Sequence, residues 1–290
     1  MDIVRFRGGM GNQMFQYALV EALRNRGRKV RCSLEGYRKQ VPAKNRRNFL
    51  LDRIFGNVDL QEIDDSTFDT INAKWKEIKS SEEKRILFKK DIKKCFFYVE
   101  EESLVYNPEI FETENCTFVG YWQAENYFRN IRKTILGKYT FTNIDTELDA
   151  RLNNQKTYCS VHIRRGDYLN NPALYMDICT EEYYREAIKY IHERFPQCIF
   201  FFFSDDMTWV KEKFRVDNGI YQRAEDYSHY EDWYDMYLMT KCNHNIVANS
   251  SFSWWGAWLN TNPDKIVIAP KVWANGYPTN DICPCEWIRI

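Results

Sequence analysis

Short apolar runs alternate with amphipathic segments through the second half of the chain. Four of these runs have the length of buried strands, and they cover residues 158–163, 198–203, 245–248 and 266–269. Between them, residues 181–195 predict a helix capped by Thr180, and residues 231–242 predict another helix. This alternation is typical of a parallel sheet with helices on both faces.

The first half of the chain begins with a strand, a glycine-rich loop and a helix. Residues 3–6 predict the strand, residues 8–11 the loop, and apolar positions from Met14 to Leu23 recur at helical spacing, with Gly27 as the expected stop. From about residue 35 to 140 the pattern predicts no clear order of elements. The polar stretch 143–156 is the best boundary, so we predict two domains, 1–145 and 146–290.

Polar side chains follow each of the four apolar runs in the second half. The sequences that follow are HIRRGD (162–167), SDD (204–206), NSS (249–251) and AP (269–270). In a parallel sheet the carboxyl ends of the strands share one edge, and ligands of open α/β sheets bind outside that edge. We therefore expect these residues to gather around one ligand.

The chemistry of these residues favours an anion. The planar guanidinium groups of Arg164 and Arg165 suit phosphate oxygens. Ser250 or Ser251 is expected to cap a helix through residues 253–258, whose amino end also attracts anions. Asp205 has the acceptors to bind a base such as guanine. His162 can donate to a base or sugar oxygen, and the set predicts a pocket for a nucleotide diphosphate.

Structural interpretations of the same residues stay open. The run Arg164 to Asp167 is also typical of ion pairs around a turn, and residues 204–206 are also typical of a helix cap with an acidic first turn. The tryptophans of residues 253–258 favour a core segment. The loop at residues 8–11 lacks the third glycine of a dinucleotide fingerprint, and no Walker lysine follows. It would still let the backbone approach a ligand across a cleft, with Asn12 and Gln13 supplying polar contacts.

Composition limits the partners. Lys plus Arg and Asp plus Glu each total 41 in 290 residues, which argues against a nucleic-acid binder. Nine cysteines without regular spacing indicate free thiols in a reducing compartment. The amino-terminal stretch lacks a long apolar segment, so we expect a cytoplasmic protein without a transmembrane segment.

Three motifs together resemble those of inverting α-1,2-fucosyltransferases of bacterial type. They are GGMGNQMFQYA (8–18), HIRRGDY (162–168) and NSSFSWW (249–255). The resemblance runs from residue 8 to about 273. It implies a GT-B-like α/β fold, with two Rossmann-like domains facing a cleft and a parallel sheet in the carboxyl-terminal domain. It also implies GDP-β-L-fucose as donor, the O2 hydroxyl of a β-galactoside as acceptor, and no required metal or other cofactor.

The resemblance also implies roles for individual residues. It assigns Arg164 to the diphosphate and His162 to the guanosine part, and the first domain would take the acceptor, which is a free oligosaccharide or a lipid-linked glycan. The whole donor-binding set is then Asn12, His162, Arg164, Asp205, Asn249, Ser250, Ser251 and Phe252. Gly11 and Gln13 are expected to line the acceptor cleft.

The catalytic prediction rests on charge. Because Asp205 and Asp206 lack the spacing of a DxD metal site, Arg164 and the helix capped by Ser250 would stabilise the leaving diphosphate. Asp167 would take the proton of the acceptor or orient Arg164.

Three alternatives stay open. They are another GDP-sugar or acceptor, a peripheral association with membranes, and a non-catalytic carbohydrate-binding protein with Tyr121, Trp122 or Trp273 as stacking platforms.

Overall fold

The chain folds as two compact α/β units, Met1–Thr140 and Phe141–Ile290. The computed structural model describes residues 1–38, 48–80, 96–100, 104–142, 144, 152, 155–221 and 231–290. The predicted division between residues 145 and 146 falls in a stretch outside these described residues.

The first unit contains a four-stranded parallel sheet. Its strands are β1 (Asp2–Arg5), β2 (Val30–Ser33), β3 (Phe97–Val99) and β4 (Thr117–Val119), in the order β2-β1-β4-β3. Its helices are α1 (Met10–Arg24), α2 (Glu35–Arg38), α3 (Leu51–Ile54), α4 (Asp65–Lys79) and α5 (Arg132–Lys138). Short 3-10 helices cover Pro108–Glu112, Glu125–Tyr127 and Arg129–Ile131.

The predicted strand, loop and helix at the start of the chain are confirmed as β1, the glycine loop and α1. Gly8 has φ +86°, a left-handed conformation that favours glycine, and it lets the chain turn from β1 into the helix. The helix ends at Arg24, and the amide of Gly27 then donates to the Arg24 carbonyl at 2.9 Å with a φ of +77°. Gly27 therefore closes the turn after the helix.

The second unit contains a six-stranded parallel sheet. Its strands are β5 (Tyr158–Ile163), β6 (Ile199–Ser204), β7 (Gly219–Tyr221), β8 (His244–Ile246), β9 (Val267–Ala269) and β10 (Ile288–Arg289), in the order β10-β9-β8-β5-β6-β7. Its helices are α6 (Pro172–Tyr175), α7 (Glu181–Arg194), α8 (Met207–Lys213), α9 (Trp233–Lys241) and α10 (Ser251–Leu259), with a 3-10 helix over Asp167–Asn170. The direction of strand addition reverses between β5 and β8, which makes their carboxyl ends the topological switch point of this sheet.

Strand β6 has a continuous apolar sequence because both of its faces are buried. Phe200 and Phe202 pack into the core cluster on one face of the sheet, and Phe201 and Phe203 pack into the cluster on the other face. Successive side chains of a strand point to opposite faces, so a strand covered on both faces requires apolar residues throughout. The predicted parallel sheet with helices on both faces is confirmed.

The four predicted strands and two predicted helices of the second unit are all present, with bounds shifted by one or two residues at most of their ends. The Thr180 hydroxyl accepts from the Tyr183 amide at 3.2 Å, which confirms the predicted cap of α7. Among the described residues, no helix combines the length and apolar character that crossing a bilayer requires.

Candidate active site

The register of two strands brings Arg164 and Asp205 together. Strands β5 and β6 pair Ile163 with Ser204, so the residues that follow, Arg164 and Asp205, emerge side by side at the carboxyl edge. The Arg164 guanidinium lies 3.1 Å from the Asp205 carboxylate. Arg164 is thus paired with an acid of the neighbouring strand end.

Asp205 also fixes the loop after β5. Its two carboxylate oxygens accept from the amides of Arg165 and Gly166 at 2.9 and 3.0 Å. A Cβ atom on Gly166 would lie 2.7 Å from an Asp205 oxygen, so the loop needs glycine at this close approach. The structure therefore gives Asp205 a loop-holding role, and the reading of guanine by this acid stays a prediction.

The two neighbouring arginines have different surroundings. The Arg165 guanidinium lies 3.9 Å from the centre of the Trp209 ring, and its Nε is 3.2 Å from Asp206. Asp206 also caps α8 by accepting from the Trp209 amide at 3.1 Å, so the helix-cap interpretation of this segment is confirmed. Arg165 is thus held against α8, while Arg164 is paired with Asp205 at the end of β6.

His162 is buried at the end of β5. Burial, with a smaller contribution from the Arg164 charge, lowers the pKa of His162 to about 3, so its imidazole is neutral near pH 7. Its Nδ1 has no hydrogen-bond partner among the described residues. Its ring centre lies 5.7 Å from that of Phe252, in the first turn of α10. His162 is therefore a neutral polar group between the arginine loop and α10.

The start of α10 forms the other side of the switch point. Ser250 is the N-cap, and its hydroxyl accepts from the Phe252 amide at 3.3 Å. Asn249 is buried and donates to the Trp273 carbonyl at 3.0 Å, while its own carbonyl accepts from the Tyr168 hydroxyl at 2.8 Å. The Tyr168 bond ties the loop after β5 to the start of α10.

The predicted second-unit residues thus fall into two groups that lie next to each other. Arg164 and Asp205 lie at the ends of β5 and β6, and Asn249 to Phe252 lie after β8. Asp167 begins the 3-10 helix of the arginine loop, but its side chain lies outside the described part of the structure.

The prediction of Tyr121, Trp122 and Trp273 as sugar-stacking platforms is wrong for the two tryptophans. Trp122 and Trp273 are 0% and 4% exposed, so neither presents a ring to a sugar. The tryptophans of α10 are also buried, which confirms the core interpretation of that helix. Tyr121 remains half-buried, with Arg7 over its ring at 4.3 Å.

The glycine-loop residues lie at the carboxyl edge of the first sheet. Asn12 accepts from the Gln123 amide at 2.6 Å, and Gly11 is buried inside α1. Gln13 is fully buried; it donates to the Asn48 and Gly8 carbonyls and accepts from the Leu50 amide. The Gln13 side chain thus holds the chain at residues 48–50, and we assign its amide to the fold rather than to the predicted acceptor contact.

Sequence reasoning missed Tyr168 and Glu100. Tyr168 is the last residue of the motif HIRRGDY. Its hydrogen bond to Asn249 depends on the pairing of β5 with β8, which the sequence alone does not predict. Glu100 lies in the stretch that predicted no order of elements, and burial raises its pKa to about 7. Its only sequence signal was a charged residue after the short apolar run 96–99.

Within the described residues, no group of three or more His, Cys, Asp or Glu side chains is arranged to hold a metal ion. Arg164 and the amino end of α10 follow the neighbouring strands β5 and β8 at the switch point. The arrangement is therefore suited to bind a phosphate or diphosphate.

Comparisons with known proteins find several glycosyltransferases. The chain is 35% identical over 313 aligned residues to an alpha-1,2-colitosyltransferase of Escherichia coli, which covers 99% of this chain and 98% of that protein. It is 28% identical over 166 residues to galactoside alpha-(1,2)-fucosyltransferase 2 of Gorilla gorilla gorilla, covering 54% of this chain and 48% of that protein. The crystal structure of fucosyltransferase NodZ from Bradyrhizobium has a TM-score of 0.45 at 17% identity, over 88% of this chain and 92% of that chain.

The resemblance that the three motifs indicated is confirmed at the level of the family. Residues 1–290 match the family described as Glycosyl transferase family 11, and the chain belongs to that family.

Proposed function

We propose that this glycosyltransferase moves L-fucose from GDP-β-L-fucose to the O2 hydroxyl of a terminal β-galactoside, with inversion and without a metal ion. The observation that supports the proposal is the position of Arg164 and the start of α10 at one switch point. Arg164 directly follows β5, and the amino end of α10 follows β8, the neighbouring strand.

The donor is held through its diphosphate. The Arg164 guanidinium and the first amides of α10 bind phosphate oxygens, and Asp205 keeps the Arg164 loop in place. The neutral imidazole of His162 and the Asn249 to Phe252 segment line the nucleotide side.

The chemistry is a single displacement at the anomeric carbon. The acceptor O2 forms a bond to C1 of fucose, while the bond from C1 to the diphosphate oxygen breaks and its electron pair stays on GDP. Negative charge grows on the diphosphate, where Arg164 and the α10 dipole stabilise it. We propose that these groups suffice without a metal, and activity should therefore survive excess EDTA. Loss of transfer with EDTA, restored by Mg²⁺ or Mn²⁺, would contradict this point.

The proton of O2 leaves during the attack, and Asp167 is our proposed base because it opens the short helix of the Arg164 loop. In an Asp167→Asn variant we expect lower kcat and loss of the acidic limb of the pH profile. An unchanged rate and pH profile would remove Asp167 from the mechanism.

The acceptor proposal is supported by the relative whose name contains a galactoside. We place the acceptor, as a free oligosaccharide or a lipid-linked glycan, on the first unit. We further propose that the enzyme works in the cytoplasm, where GDP-sugars are made, with peripheral membrane association in the case of a lipid-linked acceptor. Fractionation of cells and assay of the soluble and membrane fractions tests the location.

A second candidate donor is GDP-colitose, which the 35% identity to an alpha-1,2-colitosyltransferase favours. Colitose is fucose without its 3-hydroxyl, so the same diphosphate site fits both donors. The decisive experiment compares kcat/KM for the two donors with lactose as acceptor, followed by linkage analysis of the product. A higher kcat/KM for GDP-fucose and an α-1,2 product would support the proposal. Transfer of colitose but not of fucose would instead identify GDP-colitose as the donor.

A further inference from the structure

The carboxyl edge of the first sheet carries a second polar cluster, made of Arg7, Glu100, Gly120, Tyr121 and Trp122. Glu100 follows β3, Gly120 follows β4 and Arg7 lies two residues after β1. These three strands are neighbours in the sheet. We call this set the Glu100 cluster.

The Glu100 carboxylate is fixed by backbone amides. It accepts from the Tyr121 amide at 2.6 Å and from the Trp122 amide at 3.0 and 3.2 Å. A Cβ atom on Gly120 would lie 2.6 Å from an oxygen and the Cβ of Glu100, so the strand end needs glycine to admit the carboxylate. The local backbone is therefore shaped around one acid.

The turn that follows is strained. Trp122 has φ +58°, a left-handed conformation that is an outlier for a bulky side chain. Gln16 supports the turn by donating to the Gly120 carbonyl at 2.9 Å. Strain of this kind clusters at ligand sites, where the surrounding structure holds it in place.

The cluster offers hydrogen-bonding groups of both kinds. Glu100 is an acceptor, while Arg7 Nε is a buried donor without a partner among the described residues. Arg7, Glu100 and Tyr121 are each half-buried, and the Arg7 guanidinium covers the Tyr121 ring at 4.3 Å. The cluster thus combines one base, Arg7, with one acid, Glu100, whose pKa of about 7 leaves it partly ionised at neutral pH.

We propose that the Glu100 cluster binds a pyranose of the acceptor, with Glu100 accepting a hydrogen bond from a sugar hydroxyl and Arg7 donating to a neighbouring sugar oxygen. A vicinal diol both donates and accepts, which matches this pair, and the Tyr121 and Arg7 planes provide a flat contact. This inference rests on the proposed function for the identity of the sugar as a galactoside.

The test combines binding with kinetics. Saturation-transfer NMR with methyl β-D-galactopyranoside is recorded on the full chain without donor, and KM and kcat are then measured with lactose. Loss of a hydrogen bond to a charged group predicts that Glu100→Gln raises the lactose KM by about 10-fold or more and leaves the donor KM unchanged. Arg7→Lys, which keeps the charge but loses the planar contact, should raise the lactose KM by a smaller factor.

The matched control is Glu21→Gln, a buried glutamate paired with Arg24 and Lys138 in the same unit. It should leave both KM values unchanged, and thermal unfolding of each variant checks the fold.

Ionisation of Glu100 gives a separate readout. Since its pKa is about 7, lactose KM should rise as pH falls from 8 to 6, and Glu100→Gln should flatten that dependence. Among the described residues, the charged and titratable groups that interact with Glu100 are Arg7 and Tyr127, and burial raises the pKa of Tyr127 well above this range. Tyr127 therefore stays neutral between pH 6 and 8.

The possible results separate the two proposals. If the wild type binds the galactoside probe and Glu100→Gln does not, the result supports the site. This holds even if neither GDP-sugar is transferred, in which case only the proposed function fails. No probe binding by the wild type, or a folded Glu100→Gln with unchanged lactose KM, overturns the inference.

Discussion

The two parallel sheets of this protein end in edges of different chemistry. The second sheet presents cross-strand ion pairs, Arg164 with Asp205 and Arg165 with Asp206, beside a helix start capped by Ser250. The first sheet also has a cross-strand ion pair, Arg5 with Glu35, but after β3 it presents Glu100, a carboxylate held by two backbone amides. The same architecture thus provides an edge suited to an anion in one unit and an edge suited to a neutral polar ligand in the other.

The two edges also differ in the direction in which burial shifts the pKa of their titratable group. Burial lowers the pKa of His162 to about 3 and raises that of Glu100 to about 7. In both cases desolvation favours the neutral form, so His162 stays uncharged at neutral pH and Glu100 sits close to half ionisation. The pH response of the two edges should therefore have opposite signs.

The largest expected effect separates the two arginines of the charged edge. Arg164→Ala should lower kcat/KM by about 10²–10³, because it removes a donor to the charge that develops on the diphosphate. The control is Arg165→Ala, which loses the Trp209 contact and the Asp206 pair. That variant should be less stable yet lose less than about 10-fold in kcat/KM. Equal losses in two folded variants would contradict the distinction.

Asp205→Asn should come next. The change weakens three contacts that hold the arginine loop, so we expect GDP to bind about 10–100-fold more weakly. Competition by inorganic diphosphate should weaken by a similar factor, since the loop serves the phosphates. Weaker binding of GDP with unchanged competition by diphosphate would instead support the predicted recognition of guanine by Asp205.

The opposite pH responses can be measured by urea unfolding at pH 5.5 and 7.5. The unfolded pKa of His162 is 6.5, above the folded value of about 3, so acidification from pH 7.5 to 5.5 destabilises the fold by about 1 kcal/mol in total. For Glu100 the unfolded value is 4.5 and the folded one about 7, so the same acidification stabilises the fold. His162→Gln should remove the first contribution and Glu100→Gln the second. Two variants that shift in the same direction would contradict the comparison.

The smallest expected effect compares two helix caps. Ser250→Ala and Thr180→Ala should each lower the free energy of unfolding by about 1 kcal/mol, because each loses one cap bond. Only Ser250→Ala should also raise the Kd for GDP, by roughly 5-fold. A similar change in GDP affinity for Thr180→Ala would show that the effect comes from stability alone.

The sequence predicted the second unit well because its signals are local. The phenylalanine run of β6, the cap at Thr180 and the polar strand ends can each be recognised without knowing what they contact. The polar strand ends were also expected to lie close together, because the carboxyl ends of parallel strands share one edge of the sheet.

The parts that the sequence missed depend on register and crossovers. The pairing of Arg164 with Asp205 comes from the alignment of β5 with β6, and a slip by one residue would separate them. In the first unit, β3 and β4 have only three residues each, too few to show a period. The Glu100 cluster is formed at the ends of these two strands and of β1, and no local pattern brings the three ends together.

The most direct test of the central claim is amide hydrogen exchange of the full chain with and without GDP. The account predicts that GDP slows exchange together at residues 164–170, in the arginine loop, and at residues 250–254, at the start of α10. Protection of only one of these segments, or of neither at saturating GDP, would contradict the claim that one diphosphate is held by both.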